Sequence, residues 1–138
     1  MTWLIFAFLS AIFAAITAIL AKIGIENVNS NLATAIRAIV ITIFAWFIVL
    51  FQKSYQDIGS ISRRSLIFIL LSGLTTGLSW VFYFRALQLG DVSKVVPIDK
   101  LSLVLTIIFG VLFLSEKVTL MVVLGSILMT IGAILIAL

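Results

Sequence analysis

The stretch of sequence that decides the fold is YFRALQLGDVSKVVPIDKLS, residues 83–102. It is the polar centre of a strongly apolar chain, and it contains the single proline and five of the fourteen charged residues (nine basic, five acidic). Asp99 and Lys100 lie just inside an apolar segment that is long enough to cross a membrane. Because an ionisable side chain in hydrocarbon is costly, its presence there indicates a functional site by default.

The composition defines the class of protein. The chain has 138 residues, of which 64% are hydrophobic and 10% charged, and its mean hydropathy is +1.38. A soluble domain of this size cannot bury so much apolar surface, so the composition indicates an integral membrane protein. The absence of cysteine and histidine excludes disulfides, thiol catalysis and the usual zinc and haem ligands. We therefore expect no metal and no cofactor.

Five apolar stretches of roughly 20 residues can each cross the membrane as a helix. They are predicted at about 3–21, 32–51, 66–84, 95–114 and 118–138. Runs of this length favour helices over barrel strands, because a helix pairs its backbone groups internally. The sequence thus predicts an all-α fold, a bundle of five transmembrane helices that forms a single domain over residues 1–138.

Hydroxyl and small side chains recur at helical spacing in the last three predicted helices. The third helix has a hydroxyl face beside a glycine pair, the fourth has a polar stripe, and the fifth has two glycines on one face. These residues are Ser72, Thr76, Ser79 and Tyr83 with Gly73 and Gly77, then Asp99, Ser102, Thr106 and Gly110, then Gly125 and Gly132. The glycines predict helix–helix contacts. The hydroxyls are either polar contacts between helices or one wall of a polar cavity, with Trp80 and Tyr83 as aromatic surfaces.

Arg37, Asp99 and Lys100 are predicted to lie at similar depth on the same side of the membrane. Asp99 comes four residues after Val95, hence about 6 Å along the helix axis. Lys100 can reach back to the interface over that distance, whereas a short aspartate hardly can. An ion pair of Asp99 with Arg37 or Lys100 either binds a charged group or a proton during transport, or joins the second and fourth helices.

The basic residues are almost evenly divided between the two sides of the membrane. The N-terminus, Lys53, Arg63, Arg64 and Lys117 lie on one side, and Lys22, Arg37, Arg85, Lys94 and Lys100 lie on the other. The rule that cytoplasmic loops are rich in Lys and Arg therefore selects no orientation. Such a balance fits a chain that inserts both ways, and two copies could then assemble as an antiparallel homodimer with a site between inverted repeats.

The order and spacing of several short segments resemble the EamA family of the drug/metabolite transporter superfamily, over one five-helix repeat. The segments are Lys22-Ile23-Gly24, Arg37, Tyr83-Phe84-Arg85-Ala86-Leu87, Val95-Val96-Pro97, Ser115-Glu116-Lys117, and the glycines Gly125 and Gly132. The resemblance implies a multi-pass inner-membrane protein of a bacterium or archaeon that transports small metabolites. It is closest to short members with one repeat, and Gly125 and Gly132 are similar to the dimer contact of small multidrug transporters.

One departure from those small multidrug transporters concerns the coupling residue, because the first helix here has no acidic side chain. If an intramembrane carboxylate couples transport to protons here, Asp99 is the remaining candidate. We expect a secondary transporter of a small polar metabolite, with lipid, substrate and a second copy as partners and no nucleic acid. The expected substrate or coupling residues are Arg37, Asp99, Lys100, Ser79, Trp80, Tyr83, Ser102 and Thr106.

Two alternatives to this expectation stay open. One is a non-transporting membrane subunit that scaffolds or modulates a partner protein, and the other is one half of a heterodimeric transporter. An enzyme is not expected, because the sequence resembles no nucleophile–base pair, phosphate-binding loop or metal cage.

Overall fold

A computed structural model describes residues 2–138, which form helices and no strands. Six α-helices and one 3₁₀ helix follow one another along the chain. They are α1 (Thr2–Gly24), α2 (Ser30–Phe51), the 3₁₀ helix (Ser54–Ser60), α3 (Arg63–Leu89), α4 (Val92–Asp99), α5 (Ser102–Leu114) and α6 (Leu120–Ala137). Helices α4 and α5 together form one span, so five spans are long and apolar enough to cross a membrane. The predicted all-α membrane protein with five transmembrane helices is confirmed.

Four of the five spans extend beyond the predicted segments, whereas α6 lies within the predicted 118–138. The side-chain oxygen of Asn29 accepts hydrogen bonds from the backbone N–H of Asn31 and Leu32, at 2.9 and 3.3 Å, and so starts α2. Helix α3 is the longest, at 27 residues. It includes the polar residues from Arg85 to Gln88, which the hydropathy pattern had placed after the span.

The fourth span differs from the prediction, which drew one continuous helix over 95–114. Helix α4 ends at Asp99 and α5 begins at Ser102. Between them the bonds tighten, since the N–H of Leu101 donates to the Ile98 carbonyl and that of Leu103 to the Lys100 carbonyl, each at 3.0 Å. These bonds span three residues instead of four, so the turn is of the 3₁₀ kind.

The chain comprises two compact units. The first consists of Met1–Lys22 and Leu89–Leu138, and the second of Ile23–Gln88. In the first unit α4 and α5 pack against α6. The Lys94 Nζ donates to the Ala137 carbonyl at 3.3 Å, close to the end of α6, and the Lys22 Nζ donates to the Gly90 carbonyl at 2.9 Å. Lysines thus satisfy carbonyl groups that a helix end leaves without intrahelical partners.

In the second unit one glutamine fastens the loop that precedes α2 onto the end of α3. The Gln88 side-chain amide donates to the Ile25 and Val28 carbonyls at 3.2 and 2.6 Å, and its oxygen accepts from Arg85 at 3.1 Å. Ile25 and Leu87 are the most deeply buried large side chains of the described chain. These hydrogen bonds fix the end of α3. The candidate site lies next to this end.

Candidate functional site

An open groove of about 680 Å³ lies between α2 and α3, within the second unit. Small, hydroxyl and aliphatic side chains line it, and the lining contains no charged residue. The lining residues are Asn31, Thr34, Ala35, Ala38, Ile41, Thr42, Ile69, Ser72, Gly73, Thr76, Gly77, Trp80 and Val81.

Small residues at helical spacing create the groove. On α3, a Cβ atom added at Gly73 or at Gly77 would meet nothing within 4 Å. On α2, Ala35 and Ala38 contribute similarly little volume. The glycine pair therefore widens a cavity inside this unit instead of bringing two helices of the unit into close contact.

Three of the four hydroxyl side chains that line the groove donate hydrogen bonds within their own helices. Thr34, Thr42 and Thr76 donate to the carbonyl four residues earlier, at 2.9, 2.8 and 2.8 Å. Their O–H donors are used in this way, while the oxygen lone pairs stay available as acceptors. Of the predicted hydroxyl face, Ser72 and Thr76 line the groove, and the choice between polar helix contact and wall of a substrate cavity stays a prediction.

Arg37 lies beside the groove, over two aromatic rings of α3. Its guanidinium carbon is 4.7 Å from the ring centroid of Trp80 and 5.2 Å from that of Phe84. Trp80 also lines the groove, so Arg37 and the groove share a wall. Contacts of this kind stabilise a cation through the electron-rich ring face. They hold the guanidinium of Arg37, on α2, against the two rings of α3.

Asp99 and Lys100 lie in the first unit, at the tightened turn between α4 and α5. The Lys100 Nζ is 3.5 Å from the Asp99 Oδ2, and the two side chains are 54% and 36% exposed. An ion pair between exposed neighbouring residues stabilises the fold little. Because both side chains are partly exposed, they are accessible to other partners. Thr106 donates to the Ser102 carbonyl at 2.8 Å, one turn further along.

The predicted site residues thus separate into two groups. Trp80 lines the groove and Arg37 flanks it, whereas Asp99, Lys100, Ser102 and Thr106 belong to the other unit. Ser79 and Tyr83 are not among the groove-lining residues, and the Tyr83 ring packs edge-to-face on Phe84 at 6.3 Å. The pairing of Asp99 with Arg37 stays a prediction.

Sequence reasoning missed the half of the groove that α2 provides. Asn31, Thr34, Ala38 and Thr42 recur at spacings of three, four and four, the same signal that drew attention to α3. It also missed Phe84 as a second ring under Arg37. The spacing of Trp80 and Phe84, one helical turn apart, could have indicated it.

Gly125 and Gly132, the other predicted contact residues, lie on α6 in the first unit. A Cβ atom at either position would meet nothing within 4 Å among the described residues. Their role as a contact between two copies stays a prediction, which this open space accommodates.

Five spans that are long and apolar enough to cross a membrane define a multi-pass membrane protein, and the groove between α2 and α3 is its candidate ligand site. Residues 1–138 match the EamA-like transporter family, and the chain belongs to that family. It is 49% identical over 136 residues to a Sinorhizobium protein named as an uncharacterized transporter in the cobO 3' region, covering 99% of this chain and 96% of that one. An uncharacterized protein of Methanocaldococcus jannaschii is 28% identical with the same coverage. No solved structure matches the chain.

Proposed function

We propose that this membrane transporter carries a small polar metabolite across the inner membrane as a secondary transporter. The observation that carries the proposal is the groove between α2 and α3, next to an arginine inside the membrane span. Transporter sites typically lie at mid-membrane depth and combine apolar walls with a few polar groups. The groove combines apolar walls with a few polar groups in this way. Membership of the EamA-like transporter family supports a transport activity.

We further propose that the working form is an antiparallel homodimer. The two sides of the membrane have almost equal numbers of basic residues, which favours insertion in both directions. The open glycine face of Gly125 and Gly132 on α6 offers a surface for close approach of a second copy. Two inverted copies of five spans would reproduce the inverted repeats of larger transporters.

A two-step experiment tests the proposed function. The purified protein is screened for metabolites that raise its thermal unfolding temperature, and those that do are tested for uptake into proteoliposomes. Uptake that requires the protein supports transport. A protein that binds metabolites without moving them, or that purifies only with an obligate partner protein, supports the scaffolding alternative instead.

Coupling to protons is assigned to Asp99 in this proposal. Replacing Asp99 by Asn keeps the size of the side chain and removes its charge, so proton-driven accumulation should be abolished while exchange of substrate across the membrane continues. The measurement is uptake into proteoliposomes with and without a pH gradient. Unchanged accumulation by the Asp99→Asn variant would show that the carboxylate does not couple transport.

A further inference from the structure

Arg37 is a charged residue without a charged partner in its own unit. The acidic residues of Ile23–Gln88 are Glu26 and Asp57, and neither makes an ion pair with it. Within this unit its described contacts are the ring faces of Trp80 and Phe84 and an electrostatic interaction with Tyr83. An arginine at such a position, seven residues after the start of α2 and so about 10 Å along the axis, normally pairs with a partner or marks a ligand pathway.

The two aromatic rings stabilise the charge, but their faces offer no oxygen acceptor to the N–H donors. Trp80 and Phe84 offer ring faces to the guanidinium, whereas its five N–H groups require oxygen acceptors. Arg37 is half-buried, so part of its side chain is open to a group from outside this unit. The arrangement resembles a prepared receptor, since the rings fix the position of the guanidinium and leave its N–H groups for an incoming group.

The chemistry of the adjoining groove restricts what that group belongs to. The lining contains no acidic side chain that could hold an ammonium group and no second cation that could balance a dianion. The hydroxyls of Thr34, Thr42 and Thr76 donate to their own helix, which leaves their oxygen atoms as acceptors beside Asn31, Ser72 and an apolar surface. A single negative charge on an apolar or hydroxyl-bearing body fits these features best.

We infer that Arg37 binds the carboxylate of a small monocarboxylate whose body lies in the α2–α3 groove, and this inference rests on the proposed transport function. Two parallel N–H···O bonds join a guanidinium to a carboxylate. A neutral amide of the same shape lacks the charge, and an amine has the wrong sign. The site therefore selects the anion by charge and the body by groove volume.

Trp80 provides the optical probe, because it contacts both Arg37 and the groove. Trp3 and Trp46 are replaced by Phe so that Trp80 is the single tryptophan, and the protein is placed in nanodiscs of zwitterionic lipid. The nanodiscs are titrated with sodium butyrate, butyramide and butylammonium chloride. Of the three compounds, we expect only butyrate to change the Trp80 emission, and the change should saturate. Arg37→Gln should lower the affinity for butyrate at least about tenfold, because the charge-assisted pair is lost.

Two matched variants keep this experiment decisive. Arg64→Gln removes an exposed arginine at the start of α3 and should leave butyrate binding unchanged. Gly77→Leu fills the groove at a position where an added Cβ meets nothing within 4 Å, so it should fold normally and lose butyrate binding, which covers the case in which Arg37→Gln does not fold. Equal responses to butyramide, or butyrate binding that survives both Arg37→Gln and Gly77→Leu, would overturn the inference.

The oxyanion could also come from a lipid headgroup, and a second lipid composition separates the two sources. A Trp80 change that appears on adding anionic lipid and that butyrate does not reproduce would assign Arg37 to lipid and overturn the inference. Transport assays distinguish this failure from failure of the proposed function. Uptake of another metabolite by a protein that does not bind butyrate would refute the inference alone, while butyrate binding without any uptake would refute the transport proposal alone.

Discussion

Gln88 joins the end of α3 to the loop before α2 by two hydrogen bonds. Its side-chain amide satisfies the carbonyls of Ile25 and Val28, in a loop that follows a membrane-spanning helix. Replacing Gln88 by Leu keeps the bulk and removes both bonds. This should cost about 1–3 kcal/mol in the free energy of unfolding, because the part-buried Val28 carbonyl loses this donor and the Ile25 carbonyl keeps the longer bond from the Val28 N–H, at 3.3 Å.

The Gln88→Leu variant is measured by unfolding in mixed micelles and by hydrogen exchange of the backbone amides near Val28. Gln56→Leu is the control, because Gln56 is exposed in the 3₁₀ helix. Equal stability of the two variants would show that the Gln88 bonds do not hold the loop.

Gly110 illustrates a second effect at the scale of the residue, a glycine that makes room for a side chain. A Cβ atom at Gly110 would lie 3.0 Å from the Glu116 Oε2 and 3.5 Å from its Cδ. The chain returns to this point because Ser115 adopts a left-handed conformation (φ 55°) and the Glu116 N–H donates to the Gly110 carbonyl at 3.2 Å, as in a helix-terminating turn.

A double-mutant cycle of Gly110→Ala and Glu116→Ala measures this crowding. Alanine favours the helix by up to about 1 kcal/mol, and the displaced carboxylate offsets part of that gain. Gly110→Ala should therefore stabilise the protein more in the Glu116→Ala background, by about 0.5 kcal/mol or more of coupling energy. A coupling of zero would show that the carboxylate moves aside without cost.

At the scale of the element, the groove depends on the glycine face of α3. Gly73→Ala should raise the unfolding free energy by up to about 1 kcal/mol, since alanine favours a helix and its Cβ meets nothing within 4 Å. The same substitution narrows the groove and should reduce uptake.

The measurements for Gly73→Ala are micellar unfolding and proteoliposome uptake, with Gly59→Ala as the control. Gly59 also has open space around its Cβ position but lies in the 3₁₀ helix, outside the groove. Lower stability of Gly73→Ala would instead indicate that another copy of the chain packs on this face.

The elements also show what a sequence can and cannot predict here. Length and apolar composition predict all five spans, because each must satisfy its backbone internally in lipid. The break at Lys100 and Leu101 has no signal of this kind. Pro97 lacks an N–H for the carbonyl of Ser93, upstream of the break, so the proline does not account for the three-residue bonds that follow.

The candidate site was predictable in its residue types and less so in its grouping. Periodicity places Trp80 and the glycine pair on a helix face, yet it cannot assign a partner helix to that face. In lipid, helices associate through packing and not through a hydrophobic driving force. For this reason the spacings that include Thr34 and Phe84 indicate one shared site only once α2 and α3 are known to be neighbours.

At the scale of the whole molecule, the balance of basic residues leads to a prediction about orientation. Ser54→Lys with Gln56→Lys adds two positive charges between the second and third spans, whereas Asn27→Lys with Ser93→Lys adds two on the opposite side. All four positions are exposed. Cytoplasmic loops retain positive charge, so each pair of substitutions should fix one of two opposite orientations, visible as a C-terminal tag accessible from a single side.

If the working form is antiparallel, each singly oriented variant should lose most uptake, and co-expression of both should restore it because opposite copies can pair again. The unaltered chain should show its tag on both sides, and the variants should express at similar levels. Full uptake by either variant alone would require a parallel dimer or a monomer. The groove and Arg37 would then have to function within chains of one orientation. The proposal that the open glycine face of α6 is the contact between two antiparallel copies would no longer be supported.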